Sequence, residues 1–87
     1  PVSEMTLTEA WGRPREEVRL EQSVGRVVGE FINLYPPGVP LVVPGERMSG
    51  ELNRKIHTWI RKGMDVQGVR SCQDRYMIQV LTGTEYK

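Results

Sequence analysis

Side chains able to do chemistry are few in this sequence. It contains three lysines, Lys55, Lys62 and Lys87, with one histidine, His57, and one cysteine, Cys72. A nucleophilic lysine must be desolvated or crowded by charge so that its amine is free near neutral pH. Lys55 and Lys62 fall instead in a polar helical pattern, and Lys87 is the last residue. One cysteine and one histidine cannot complete a tetrahedral zinc site. Neither G-x-S-x-G, nor a P-loop, nor H-E-x-x-H occurs, and Gly25 and Gly29 do not make a dinucleotide fingerprint. The polar groups left over are Tyr35, Glu46 and Glu30. Single carboxylates can hold or steer a cation, but this set is too sparse to run a reaction. No catalytic, cofactor-binding or metal-binding residue is assigned.

Size and charge narrow the classes further. With 87 residues the chain makes one domain, 1–87. Twelve basic and eleven acidic residues leave +1, without a block of one sign, so the basic excess of a nucleic-acid module is missing. A lone cysteine excludes an internal disulfide and suits a reduced, cytoplasmic setting. No apolar run reaches the length of a membrane span, and no signal-peptide pattern opens the chain. Neither nucleic acid nor membrane is therefore expected as a partner. Hydrophobic residues make up only 38%, which hints at a piece that packs against something else. Pro1 is not a translation start, so the chain reads as a processed or edited piece.

The elements follow from local signals. Thr6 and Glu9 have capping-box spacing, which predicts a short helix over 6–11, ended by Gly12 and Pro14. Leu7 and Trp11 share a face of it, and Trp11 is expected as a packing anchor. Residues 16–20 suit an edge strand, and 20–25 a turn closed by Gly25. Residues 26–34 are β-rich with imperfect alternation, so both faces should be partly covered. The clearest helix spans 49–62: Ser49 caps it, Glu51 suits its first turn, and Leu52, Ile56, Trp59 and Ile60 form an apolar stripe. Gly63 is the expected terminator. Arg54, Lys55, Arg61 and Lys62 read as a solvated face, and His57 as a partly exposed helical residue. A strand at 65–68, a turn at 71–75 and a strand at 76–81 look like a hairpin, and the segment after it should fray. The fold class is α+β, a small mixed or antiparallel sheet with one main helix and a short N-terminal helix.

The segment YPPGVPLVVPGE, 35–46, is unusually stiff. Pro37-Gly38 and Pro44-Gly45 each suit the central positions of a type II turn. Between them lies the apolar strand 39–43, where Pro40 marks an edge or a strand start. Such a segment has little backbone entropy to lose on folding. It is either a well-stapled strand between two turns or a rigid frame holding backbone N–H groups and Glu46 for a ligand or neighbouring domain.

Residues 25–49, GRVVGEFINLYPPGVPLVVPGERMS, resemble the C-terminal domain of bacterial ornithine/lysine/arginine decarboxylases. That family reads G-R-(Val/Ile)-x-A-E, an apolar stretch, then Y-P-P-G-(Ile/Val)-P-(Leu/Ile)-x-x-P-G-E. VRLEQSVG, 18–25, is similar to the family's V-P-L-E-E-A-x-G, and EMTLTEAW near the start to its S-P-R-E-A-F segment. Arg19 stands in place of proline, Gly29 of alanine and Met48 of isoleucine.

The resemblance implies a part of a fold-type I enzyme that uses pyridoxal phosphate (PLP) to remove the α-carboxylate of a basic amino acid. The PLP lysine of that family lies in a Ser-x-His-Lys setting, which this sequence lacks, so the cofactor would belong to a large upstream domain absent from this chain. The domain would cap the active-site entrance and help assemble a homo-oligomer. Tyr35, Pro37, Gly38 and Glu46 carry over as substrate-channel candidates, Glu46 as a carboxylate attracting the substrate's distal cation, or else as a turn residue bonded to local backbone. The alternative is a stand-alone interaction or amine-sensing module that kept the fold. Nothing around Pro1 or Lys87 resembles the serine cleavage site of a pyruvoyl decarboxylase chain.

Overall fold

The computed structural model describes residues 2–35 and 38–84. Along the chain these form β1 (Val2–Ser3), α1 (Leu7–Trp11), β2 (Arg15–Arg19), a 3-10 turn (Leu20–Gln22), β3 (Ile32–Tyr35), β4 (Val39–Val42), β5 (Glu46–Arg47), α2 (Gly50–Arg61), β6 (Asp65–Gln67), β7 (Arg70–Cys72) and β8 (Arg75–Leu81). The strands make two three-stranded sheets, ordered β2-β8-β7 and β4-β3-β6, and a β1-β5 pair. Every pairing among the described residues is antiparallel. The α+β class is as expected, and among the described residues no helix is long and apolar enough to cross a membrane.

α2 forms where its signals put it. Ser49 Oγ accepts from Leu52 N at 3.1 Å. At the other end Gly63 takes φ +80, and its N–H and that of Met64 bond to the carbonyls of Ile60 and Trp59, the paired closure of a Schellman motif. Ile56 is fully buried, with Leu52, Trp59 and Ile60 packed beside it. Asn53 is a polar residue on the inward face: its Nδ2 donates to Leu20 O at 2.7 Å and to Ser23 Oγ at 3.2 Å. That pair of bonds satisfies a buried amide and ties α2 to the 3-10 turn. One core joins the helix to both sheets through Ile32, Val42, Val66, Ile78 and Val80.

Several expectations are corrected. Residues 26–34 are not one strand: Val27 and Val28 make single bridges to Arg47 and Val80, and β3 starts only at Ile32. The reason is that both valines are buried, Val28 in the main core and Val27 in a second cluster with Ala10 and Leu81. Trp11 is not a packing anchor. It is 67% exposed, and Leu7 is exposed beside it. α1 is five residues long and seats itself through Ala10, which turns the Leu7–Trp11 face outward. The expected hairpin also has a different arm, because β6 pairs with β3 while β7 pairs with β8. Gly68, at φ +95, turns the chain from one sheet to the other. Nor does the end fray at Thr84. Its Oγ1 accepts from Val27 N at 3.2 Å and from Arg26 Nε at 3.3 Å, and donates to Leu81 O at 2.6 Å. Residues 85–87 lie outside the described residues.

A β-carbon at Gly68 would lie 2.2 Å from Phe31 O, whereas one at Gly63 would meet nothing within 4 Å. Both glycines have positive φ, a conformation that costs a non-glycine residue about 1–3 kcal/mol. Gly63→Ala is expected to lose about 1 kcal/mol and Gly68→Ala at least twice that, since only the second adds a backbone clash. Urea unfolding of the two variants checks this, and equal losses would contradict the placement of β6.

Candidate functional site

Both glycines of the Pro-Gly segment take the conformation its composition predicts, but the segment separates its polar residues. Gly38 has φ +93 and Gly45 has φ +100, the conformations that a type II turn asks of its glycine. Glu46 N bonds to Val43 O at 3.1 Å, closing the second turn. β4 runs between the two turns as an edge strand, which accommodates Pro40. Its four residues, at about 3.3 Å each, put Glu46 more than about 10 Å along the chain from Gly38.

At the first turn, Gly38 lies against the Tyr35 ring: an added β-carbon would sit 3.0 Å from Tyr35 Cε1. Gly38 N bonds to Leu34 O at 2.9 Å. Tyr35 is exposed at the end of β3. Pro37 lies outside the described residues. At the second turn, the Glu46 carboxylate accepts from Val43 N at 2.8 Å, so one oxygen is engaged by local backbone. Tyr35 and Gly38 are therefore brought together, and Glu46 stands apart from them.

A second concave surface was not expected from sequence. Trp11, Arg15, Gly29, Glu30, Phe31 and Pro44 line an open groove of about 410 Å³. Arg15 forms part of its floor, and its guanidinium donates to the carbonyls of Gly29, Arg13, Trp11 and Ala10, at 2.7, 2.9, 3.2 and 3.3 Å. Glu30 accepts from Gln79 N at 2.7 Å. Burial nonetheless pushes its carboxyl above the ordinary carboxylate range, with the Glu17 charge adding to the rise. The residues come from α1, β2, the 29–31 stretch and the 43–46 turn, so no local sequence signal marked the groove. Further along the same sheet, Glu17 on β2 and Arg70 on β7 pair across β8, Arg70 Nε donating at 2.8 Å. The Arg70 hydrogen bonds hold the Glu17 carboxyl below its usual range. No cluster of metal ligands occurs among the described residues.

Comparison with known proteins agrees with the fold. The profile of the Orn/Lys/Arg decarboxylase C-terminal domain family matches residues 3–82. The arginine decarboxylase of Bacillus subtilis is 33% identical over 81 residues, 93% of this chain and 16% of that protein. The arginine decarboxylase of Halalkalibacterium halodurans is 40% identical over 68 residues, 78% of this chain and 14% of that protein. In the structure of the constitutive lysine decarboxylase of Escherichia coli, the similarity covers 94% of this chain and 14% of that one, at 34% identity and a TM-score of 0.85. The chain belongs to the family of Orn/Lys/Arg decarboxylase C-terminal domains. It spans about one seventh of the length of these relatives.

The Glu30 shift has a definite sign. A carboxyl whose folded pKa is raised contributes most below its unfolded value and loses that contribution as pH rises through the folded value. Glu30→Gln keeps an acceptor for Gln79 N and removes the charge. The variant is expected to melt at or above the wild-type temperature at neutral pH, with the difference shrinking toward about pH 4. Thermal unfolding against pH measures this. A variant that loses stability at neutral pH and regains it in acid contradicts the assignment.

Proposed function

We propose that this chain is the C-terminal domain of a PLP-dependent decarboxylase of a basic amino acid, capping the active-site entrance and aiding assembly of a cytoplasmic homo-oligomer. The observation that carries the reading is the family match across residues 3–82, which includes the whole of the 35–46 segment. Support also comes from relatives described as arginine and lysine decarboxylases, several times longer than this chain.

Among the described residues none fits the cofactor itself. Lys55 pairs with Glu51 on the outer face of α2 at 3.3 Å, and Lys62 is exposed at the helix end. Lys87 lies outside the described residues. PLP would be held by the larger part of the polypeptide, and this domain's share of the activity would be shaping access to it. Tyr35 and Gly38 would line the channel at one end of β4. Glu46 would line it at the other, through the carboxylate oxygen that Val43 N does not take. An acid placed there favours a substrate with a distal ammonium or guanidinium.

The test is to express the complete reading frame that holds this segment and to measure carbon dioxide release from lysine, ornithine and arginine with PLP added. PLP-dependent release from at least one is expected, and a purified protein inert toward all three overturns the reading. In the active protein, Tyr35→Ala and Glu46→Gln should each raise KM about threefold to tenfold, corresponding to roughly 0.6–1.4 kcal/mol, with kcat within about twofold. Unchanged KM in both variants removes these residues from the channel.

A further inference from the structure

We propose that the groove walled by Trp11, Phe31 and Pro44 is the surface on which this domain seats against the larger body of the decarboxylase, with Trp11 as its central anchor. The inference rests on the functional reading above and names the face that reading needs.

The side chains are those of a contact surface in search of a cover. Trp11 is 67% and Phe31 44% exposed, and Leu7 is exposed on the same side of α1. A second hollow, lined by Leu7, Thr8, Trp11 and Gly12, adjoins the groove and shares Trp11 with it. Aromatic residues set in apolar hollows are the usual anchors of protein contacts. Contiguous exposed apolar surface of this kind marks an interaction site more often than scattered single residues do.

The polar groups beneath the aromatics are ready to be covered. Arg15 already spends its guanidinium on four backbone carbonyls, and Glu30 already accepts from Gln79 N. Covering a polar group that has its partners avoids the cost of leaving it unmet. Glu30 is only partly exposed even now.

The occupant follows from the relatives. In the matched proteins the segment is a C-terminal domain and about one seventh of the chain. Most of each relative's polypeptide therefore lies outside the matched stretch. A body of that size can cover the exposed Leu7–Trp11 face of α1 together with Phe31.

Hydroxyl-radical footprinting read by mass spectrometry tests this residue by residue. The reactivities of Trp11 and Phe31 are compared between this 87-residue chain and the complete decarboxylase polypeptide, together with light scattering of the 87-residue chain alone. Both residues are expected to react several-fold more slowly in the complete protein, because a ring packed in a contact is shielded from solvent, and the short chain is expected to be monomeric. Unchanged reactivity in a complete protein that still decarboxylates overturns the docking face and leaves the functional reading standing. A complete protein without that activity overturns the reading first. A short chain that dimerises, and becomes monomeric as Trp11→Ser and Phe31→Ser, puts a second copy on the face and overturns the proposal.

Discussion

The turn at Val43–Glu46 is the joint on which the other contacts depend. Gly45 O accepts from Glu4 N at 2.9 Å and Met5 N at 3.3 Å, and Gly45 N donates to Val28 O at 3.0 Å. Val28 N donates in turn to Glu46 O at 2.8 Å. Two stretches far apart in the chain, at 4–5 and at 28, therefore meet on one four-residue turn. Gly45 alone allows this, because a β-carbon there would lie 2.5 Å from Met5 O. Pro44 pre-sets the other half of the turn at no entropic cost. The same turn fixes Pro44 in the wall of the groove and the Glu46 carboxylate on Val43 N. The groove wall at Pro44 and the Glu46 carboxylate are thus set by one backbone geometry.

Around that joint the domain divides its apolar residues between two clusters. Val27 and Val28 are consecutive and both buried, one under α1 and the other in the main core. A regular strand sends neighbours to opposite faces, and here both faces are covered. The arrangement sets α1 on one side of the molecule, and its seat on Ala10 leaves the larger Trp11 outside. An exposed tryptophan is a poor bargain for an isolated domain and an ordinary one for a domain that meets a larger partner.

Much of this was legible in the residues themselves. α2 was readable because its cap, stripe and terminator are all local, and the Pro-Gly turns because proline and glycine state their dihedral angles directly. Edge placement of Pro40 followed from its missing N–H. Trp11 was misread because an i, i+4 pair shows that two residues share a face without showing which face is inside. The hairpin arm was misread because Gly68 redirects β6 by a contact with Phe31, 37 positions earlier in the chain. Asn53 on the inward face of α2 broke the stripe for a reason visible only once the Leu20 carbonyl stood opposite it. The groove draws on four separate stretches, so no single one of them announced it.

Native-state hydrogen exchange at the Val28 and Gly45 amides tests the joint most directly. If the 43–46 turn holds residues 4–5 and 28 together, the Val28 and Gly45 amides exchange only when the whole domain unfolds, with the same opening free energy as the amides at the centre of α2. Exchange of Val28 and Gly45 through a local opening, well ahead of the helix, would contradict the account.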